Sequence, residues 1–262
     1  MTTKLTFRGT GDSQGVPRVY CDCRICDEAR SSEGINRRLR SALQIDMPDA
    51  GVTWIDCGPD WGRQMEAAGL RTIDRMLITH AHFDHIGGLP EWYDVCRWSK
   101  TRGIAYSPSE VIEEIRSRFP WLTSMIDFRP FDEPILIGAW RVRAWRVNHG
   151  KNGYSYAFRF DHSVSGYSWV YCSDAIDLTE EQQEPLRGAD LLILGTSFFK
   201  EPFPRETRSL YDVHEALELF EQWKPKQAFL THMSHDIDIA KDGYLPSHVH
   251  YSKTGMTIEI NE

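Results

Sequence analysis

The chain has 262 residues, of which 41% are hydrophobic, and carries a formal net charge of −8. That hydrophobic fraction excludes a disordered chain. The negative net charge argues against a general binder of nucleic acid or anionic membranes, because the surface as a whole lacks a positive electrostatic potential. The sequence has no apolar run near the roughly 18–20 residues of a membrane span and opens without a hydrophobic signal segment, so we expect a soluble cytoplasmic protein.

Strands and helices alternate along the whole sequence. Period-two alternation and short continuous apolar runs predict strands at 5–9, 42–47, 52–56, 75–79, 140–147, 154–160, 169–173, 191–194 and 227–231. Helically spaced apolar residues predict helices at 60–68, 88–98, 108–118, 179–187 and 211–223. Because strand-rich blocks occur in both halves without a long linker, we expect one domain over residues 1–262, with an α/β fold in which two sheets pack together and helices lie outside.

Three of the six cysteines, Cys21, Cys23 and Cys26, lie within six residues in a loop expected at 18–30. A chain of this size in a reducing compartment does not favour a disulfide framework, so the cluster indicates a metal site. Zinc in structural sites takes four ligands, and the fourth must come from elsewhere in the chain. The alternative is three reduced cysteines that share a loop by chance.

Side chains that can bind metal ions are most concentrated in the segment 78–88. A predicted buried strand ends there and is followed by His80, His82, Asp84 and His85. In an extended segment alternate residues share a side, so His80 and His82 can converge on one ion while Asp84 and His85 turn toward another. Imidazole and carboxylate groups suit zinc, manganese or iron, and two ions about 3.5–4 Å apart activate water between them. Solvated side chains at a strand end would explain any one of these residues, but not all four in this order.

The H-x-H-x-D-H order after an apolar strand resembles the signature of the metallo-β-lactamase superfamily. The resemblance implies a four-layer αββα sandwich with two metal ions at one edge of the paired sheets. It also implies three further ligands, each of which follows a predicted strand: His149, Asp174 and His232.

The resemblance assigns these ligands to two ions that share Asp174 between them. The first ion takes His80, His82 and His149, and the second takes Asp84, His85 and His232. Asp56 matches an aspartate that the superfamily uses to brace a ligand histidine.

Further motifs narrow the resemblance to one branch: G-T-G-x-x-x-G-V-P at 9–17, the C-x-C-x-x-C cluster, the basic run at 36–41 and T-H-x-S-H-D at 231–236. That branch holds the phosphoribosyl cyclic phosphate phosphodiesterase of phosphonate catabolism and is related to the tRNA 3′-end-processing endonucleases. His235 is the candidate fourth ligand of a structural zinc with the three cysteines, since it lies three residues after His232 and can face the other way on a helical turn. The branch also implies a homodimer.

The sequence departs from the branch at one position. Branch enzymes carry a histidine, as general acid or phosphate clamp, where a gap-free count back from His232 places Leu210. Leucine can neither donate a proton nor stabilise a phosphorane. His214, one helical turn further on, is the candidate replacement, and a surface position is its alternative. Lys200, Arg205 and Arg208 are candidates for binding phosphate or carboxylate, unless they belong to a solvated loop.

Together these observations predict a hydrolase that depends on two divalent ions (zinc or manganese, with iron as an option) and one structural zinc, with Asp84 orienting the attacking water. By resemblance the substrate is a small cyclic phosphate such as a phosphoribosyl cyclic phosphate. The missing histidine leaves open a carboxyl ester, a lactone or an intermediate of cofactor biosynthesis, and also a metal-bound binding protein without activity. The net charge does not favour a tRNA nuclease, and we expect neither a nucleic-acid nor a membrane partner.

Overall fold

A computed structural model describes residues 2–31 and 34–261 of the chain. The described residues form fourteen strands: β1 Thr2–Gly9, β2 Ala42–Met47, β3 Gly51–Ile55, β4 Arg75–Leu77, β5 Gly103–Ser107, β6 Ile126–Pro130, β7 Ile135–Ile137, β8 Trp140–Asn148, β9 Tyr154–His162, β10 Ser168–Cys172, β11 Leu191–Gly195, β12 Gln227–Thr231, β13 Val249–Tyr251 and β14 Thr257–Asn261. They also form seven α-helices: α1 Arg24–Arg30, α2 Trp61–Ala68, α3 Phe83–Ile86, α4 Leu89–Trp98, α5 Ser109–Arg118, α6 Glu180–Gln183 and α7 Val213–Trp223. The outermost residues of the expected domain, 1 and 262, lie outside the described part.

The strands form two sheets of seven strands each within the described residues. The first has the order β14-β1-β2-β3-β4-β5-β6 and the second the order β13-β12-β11-β10-β9-β8-β7. In the first sheet β1, β2 and β3 pair antiparallel and β3 to β6 pair parallel. In the second sheet β8, β9 and β10 pair antiparallel and β10 to β13 pair parallel. Each sheet therefore has a parallel half whose strands end at a common edge.

Alternation along the strands places one face of each sheet against the other sheet. Trp169 and Tyr171 of β10 join the core between the sheets, whereas Val170 and Cys172 of the same strand pack on the outer, helical side. The ring of Phe160 on β9 stacks on Trp169 with centroids 3.8 Å apart. Side chains of successive residues point to opposite faces of a strand, so this pattern is what a sheet buried on both faces requires.

Helices cover the outer face of each sheet. Trp61 of α2, Trp92 of α4 and Ile112 of α5 pack on the first sheet. Phe220 and Trp223 of α7 pack on the second. The layers run helix, sheet, sheet, helix, and the predicted αββα sandwich is confirmed.

Two predicted elements differ in detail from the observed ones. The helix expected at 179–187 consists of α6 and a 3-10 turn over Glu184–Leu186, because Pro185 has no N–H for a helical hydrogen bond and its ring crowds the preceding turn. The cysteine loop expected at 18–30 contains a helix, α1, in its second half. None of the helices in the described part of the chain has the length and apolarity to span a bilayer.

Candidate metal centre

The metal-ligand motif at 80–85 changes backbone conformation midway. After β4 the chain stays extended to His82, whose φ and ψ are −73° and 152°, and then turns into the short helix α3. The extended part presents His80 and His82 on one side, and Nε2 of His80 lies 2.8 Å from Nδ1 of His82. The helical part turns Asp84 and His85 away from them. One short segment therefore directs candidate ligands into two neighbouring groups.

A first donor group consists of His80, His82 and His149, whose ligand atoms lie within 4.8 Å of one another. The other ring nitrogen of two of these histidines is fixed by a hydrogen bond. Nδ1 of His149 donates to the carbonyl of Ser209 at 2.8 Å. Nδ1 of His80 donates to the hydroxyl of Thr79 at 3.0 Å, because that hydroxyl uses its own proton on Asp56. Both histidines therefore turn an unprotonated Nε2 toward the group's centre.

A second donor group consists of Asp84, His85 and His232, again with ligand atoms within 4.8 Å. Nε2 of His85 lies 3.2 Å from Oδ2 of Asp84, and Nε2 of His232 lies 3.4 Å from the same oxygen. His232 follows β12 directly and has a φ of 54°, in the left-handed region that non-glycine residues seldom adopt. Such strain is typical of a residue that the surrounding structure holds for function.

Asp174 lies between the two donor groups. Its Oδ1 is 3.6 Å from Nε2 of His149 and 3.3 Å from Nε2 of His232, while its Oδ2 is 3.3 Å from Nε2 of His85. The carboxylate thus contacts histidines of both groups, as a ligand shared by two ions must. It is 2% exposed, so solvent does not compete for its oxygens.

The donor atoms fit a cation rather than a hydrogen-bond network. Nε2 of His85 and Oδ2 of Asp174 are buried and lie 3.3 Å apart, but they are not aligned for a hydrogen bond, and neither atom has a hydrogen-bond partner among the residues that the structure describes. The close nitrogens of His80 and His82 require a proton or a cation between them, since two facing lone pairs repel. Buried polar atoms without partners cost about 1–3 kcal/mol each. Neutral imidazoles and carboxylates are suitable ligands for zinc, manganese or iron, so the residues present fit two divalent ions.

The histidines of the two donor groups differ in the direction in which their pKa values are shifted. Burial lowers the pKa of His80 and of His149, which keeps both imidazoles neutral. Burial opposes protonation of His85 as well, but the carboxylates of Asp84, Asp174 and Asp56 outweigh it and raise its pKa well above the usual value. The field that holds a proton on His85 is the field that would attract a divalent cation to the second group.

Asp56 braces the centre from the end of β3. Its Oδ2 accepts a 2.7 Å hydrogen bond from Nδ1 of His85, and its carboxylate also accepts from the backbone and hydroxyl of Thr79. Asp56 is fully buried and has a φ of 64°. These contacts leave Nε2 of His85 free to face the second site, in the bracing position expected from the sequence.

The cysteine cluster forms a separate donor group. Sulfur atoms of Cys21, Cys23 and Cys26 and a ring nitrogen of His235 lie within 4.8 Å of one another. Nδ1 of His235 is 3.3 Å from Sγ of Cys26 and 3.5 Å from Sγ of Cys23. Cys23 precedes α1 directly and Cys26 lies in its first turn, so helical spacing brings their thiols to one side. Three thiols and one imidazole are a set of four donors of the kind that structural zinc sites use, so these residues fit one zinc ion.

The remaining predicted site residues lie outside these groups. Leu210, buried, directly follows the Ser209 whose carbonyl holds His149, and it leaves no proton donor there. His214 is exposed and packs edge-on against the ring of Phe199, 4.8 Å away, and no contact joins it to a metal ligand in the described residues. Lys200 is exposed.

The two arginines proposed for anion binding are already ion-paired. Arg208 is 7% exposed and contacts Glu201, Asp212 and Glu215 at 3.1, 3.5 and 2.5 Å. Arg205 pairs with Asp177 and Glu215. These contacts disfavour the suggestion that either guanidinium binds substrate.

Sequence reasoning missed three residues that form hydrogen bonds with the candidate ligands or with the backbone between them. Thr79 and Ser209 hold His80 and His149, and Arg118 donates a hydrogen bond to the carbonyl of Ala81, between His80 and His82. The position of Thr79 next to His80 was a usable signal. Ser209 and Arg118 lie far along the chain from the ligands that they contact, so no local pattern reveals them.

Comparison with known proteins agrees with this geometry. Residues 53–233, more than half of the chain, match the family profile described as the Beta-lactamase superfamily domain. A solved diphosphatase from the PhnP family is 27% identical, with a TM-score of 0.86, over 99% of this chain and 98% of that one.

The curated relatives that match the sequence include two enzymes with different names. An octanoyltransferase of Porphyromonas gingivalis is 29% identical over 271 residues, which cover 97% of this chain and 51% of the relative. A ribonuclease Z of a Bradyrhizobium species is 29% identical over 119 residues, which cover 40% of this chain and 39% of the relative. The chain thus spans about half of the length of the first relative and 39% of the second.

Proposed function

The chain belongs to the β-lactamase superfamily, and from that premise we propose that it is a hydrolase that uses two divalent metal ions to cleave a small phosphodiester. A cyclic phosphate, such as a phosphoribosyl cyclic phosphate, is the leading substrate. The observation that carries the proposal is the arrangement of two three-residue donor groups joined by Asp174, with orphaned buried ligand atoms facing inward. A purely structural role would not require six ligands and a shared carboxylate at one edge of the sheets.

The residues have separate tasks in this proposal. His80, His82 and His149 hold the first ion, Asp84, His85 and His232 hold the second, and Asp174 contacts both. When bound, two such ions lower the pKa of water and polarise the electrophile.

Asp84 and Asp174 orient the attacking water. Oδ2 of Asp84 faces His85 and His232, and we assign its other oxygen to accept a hydrogen bond from that water. Both carboxylates stay ionised, because the charges of nearby histidines outweigh burial and hold the pKa of Asp84 and of Asp174 well below the usual range.

Phosphorus is favoured over carbon as the reacting centre by likeness to the PhnP-family diphosphatase. That likeness extends over 99% of this chain, so it includes the segment around the cysteine cluster at 21–26. The partial match to a ribonuclease Z points to the same phosphodiester chemistry. The net charge of −8 disfavours a long nucleic acid and favours a small substrate.

A second candidate is hydrolysis of an acyl compound, either a carboxyl ester or lactone or an intermediate of cofactor biosynthesis. The specific observation in its favour is that 97% of the chain aligns with about half of an octanoyltransferase. That relative would then contain a domain of this fold and an acyl-transfer activity in one polypeptide. The buried Leu210, at the position where phosphodiesterases of this branch carry a histidine, is compatible with such a substrate. The same metal-ligand groups would serve either electrophile.

One experiment separates these proposals. Protein with measured metal content is assayed on bis-p-nitrophenyl phosphate and a ribose cyclic phosphate, beside a lactone and an octanoyl thioester. Asp84→Ala removes a ligand, and Asp94→Ala, an exposed aspartate on α4, is the matched control. Phosphodiester hydrolysis that is lost in Asp84→Ala and retained in Asp94→Ala supports the leading proposal. Preference for the acyl substrates supports the second candidate, and inactivity of fully metallated protein on all four indicates a binding protein.

A further inference from the structure

The six cysteines differ sharply in their access to solvent. Cys23 is exposed and Cys21 is half-buried, whereas Cys26 is fully buried. The other three cysteines are at most 3% exposed and lie in the packed cores on the outer faces of the sheets: Cys57, Cys96 and Cys172. An oxidant in solution therefore reaches the cysteine cluster first, and within the cluster it reaches Cys23 first.

Cys23 and Cys26 have the spacing of a pair that can form a disulfide. Cys23 directly precedes α1 and Cys26 is the third residue of that helix. One helical turn rises about 5.4 Å, which lies within the roughly 4.4–6.8 Å that separate the Cα atoms of a disulfide. The sulfur atoms of the cluster lie within 4.8 Å of one another, so rotation of the two side chains can bring them into bonding distance. Cys21, two residues before Cys23, would close a tighter ring.

The buried member of the pair is held in place beside the exposed one. Cys26 is 0% exposed, and its Sγ accepts a hydrogen bond from the backbone N–H of Arg18 at 3.4 Å. Solvent oxidants cannot reach this sulfur directly, but the Cys23 sulfur can. An accessible thiol next to a second thiol is the arrangement in which an oxidised sulfur is captured as a disulfide before it is oxidised further.

From these contacts we propose that Cys23 and Cys26 are a peroxide-reactive pair, a modification site that closes to a reversible disulfide and thereby releases the ion held by the cysteine cluster. The oxidant is hydrogen peroxide or an organic hydroperoxide. The proposal concerns the cysteine cluster alone and does not rest on the proposed hydrolase activity.

The oxidation balances within the pair. The Cys23 sulfur attacks one peroxide oxygen, so that an S–O bond forms, the O–O bond breaks, and hydroxide leaves and takes a proton from solvent. The Cys26 thiolate then attacks the Cys23 sulfur, so that the S–S bond forms, the S–O bond breaks, and a second hydroxide leaves in the same way. Two thiolates lose two electrons, and one hydrogen peroxide becomes two water molecules. Cys21 and His235 are the donors that remain, too few for a four-coordinate structural zinc.

The loop that carries His235 has anchors that contain no sulfur. Arg38 donates to the backbone carbonyls on either side of His235, at 3.1 and 2.8 Å. Arg24 of α1 also contacts Asp238 at 2.5 Å. Oxidation of the pair therefore frees the His235 ring but leaves its backbone attached. We expect a folded protein of lower stability, which a thiol reductant and zinc restore.

The test treats zinc-loaded protein with an equimolar amount of hydrogen peroxide. A chromogenic chelator follows zinc release, and peptide mapping after alkylation of free thiols identifies the cysteines that have reacted. We expect zinc release together with a disulfide between Cys23 and Cys26, and we expect Cys23 to react at least about tenfold faster than Cys96. Dithiothreitol and added zinc should restore the free thiols, the bound zinc and the melting temperature.

Two variants isolate the members of the pair. Cys26→Ser leaves Cys23 without its partner, so peroxide should produce a sulfenic acid on Cys23 that a cyclic 1,3-diketone traps. Cys96→Ser removes a buried core thiol and is the matched control, which should form the disulfide like the parent.

Three results would overturn the proposal. They are zinc release without a disulfide between Cys23 and Cys26, oxidation of the core cysteines at a rate comparable with Cys23, and oxidation that dithiothreitol does not reverse. Because the mapping is done on the parent protein, the proposal can fail even where a variant does not fold. No readout depends on hydrolysis of a substrate, so failure of the proposed function would leave this result unchanged.

Discussion

His232 and His235 lie three residues apart and belong to two different groups of candidate metal ligands. Nε2 of His232 is 3.3 Å from Oδ1 of Asp174 in the histidine–aspartate groups, whereas Nδ1 of His235 is 3.3 Å from Sγ of Cys26 in the cysteine cluster. Backbone hydrogen bonds fix the segment between them, from Met233 to Thr10 and from Ser234 to Ser197. A metal ion held by the cysteines would therefore stabilise the loop that carries His232, the last candidate ligand of the proposed dinuclear centre.

Loss of the cysteine site should be measurable as lost metal and lost stability. We expect the parent protein to hold more than two ions per chain and Cys23→Ser to lose the excess. Structural zinc contributes folding free energy directly, so the melting temperature should fall by about 10 °C for a loss of about 3–4 kcal/mol. Elemental analysis and calorimetry measure both, with Asp22→Asn, an exposed neighbour in the same loop, as control. Two or fewer ions in the parent would rule out the structural site.

Arg38 should support both metal sites at once. It is 1% exposed, and its Nη2 donates to the carbonyls of Ser234 and Ile237, on either side of His235. Burial lowers its pKa to about 10, so it stays charged at neutral pH. Replacement by Met leaves two buried carbonyls without a donor, and we expect a loss of about 3 kcal/mol in the free energy of unfolding.

The Arg38→Met measurement is denaturant unfolding together with metal content. Arg141→Met, at an exposed position on β8, is the control and should unfold like the parent. A normal unfolding free energy in Arg38→Met would show that the two carbonyls find other donors.

Asp56→Asn should weaken the second metal site while leaving the fold intact. The carboxylate accepts the Nδ1 proton of His85, and an amide can present its NH₂ group instead, which would favour the wrong tautomer. Loss of such a bracing contact lowers metal affinity by about 10–100-fold. Competition with a chromogenic chelator measures this, with the exposed Asp94→Asn as control. Unchanged affinity would mean that His85 is oriented by its other neighbours.

His214→Ala should retain most of the activity. A general acid contributes about 10²–10⁴-fold to the rate, but the His214 ring is exposed and packs against Phe199. We expect a change of less than about threefold in kcat, against near-complete loss in His149→Ala, which removes a metal ligand. A hundredfold drop in kcat with unchanged metal content would instead establish His214 as the proton donor.

Metal binding to the two donor groups should depend differently on pH. Burial lowers the pKa of His80, His82 and His149, so the first group has no proton to displace near neutrality. Carboxylates outweigh burial at His85 and raise its pKa, so the second ion must displace a proton. Affinity at the second group should therefore rise up to about tenfold per pH unit between pH 6 and 8, and the first group should change little.

Calorimetry in buffers of different ionisation enthalpy counts the released protons. At least one proton should be released with the second ion and none with the first. Equal proton release at both groups would contradict the assignment of the charged histidine to the second group.

The local part of the centre followed from the sequence alone. The order H-x-H-x-D-H after an apolar strand predicts two directions of ligand projection, because an extended backbone alternates its side chains and a helical turn does not. The superfamily resemblance then pointed to His149, Asp174 and His232, and the structure places each of them soon after a strand and in the groups of side chains that could hold a metal ion. The αββα layers likewise follow from strand and helix periodicity.

Only the tertiary structure decided which distant residues hold those ligands. Ser209 meets His149 across 60 residues, and Arg118 meets Ala81 across 37. The engagement of Arg208 by three carboxylates, which disfavours its proposed role with substrate, is equally invisible in a linear pattern. The spacing of apolar residues indicates the direction of a side chain relative to its own strand or helix. Contacts between strands and helices depend instead on sheet order and packing, and a single sequence does not specify either of them.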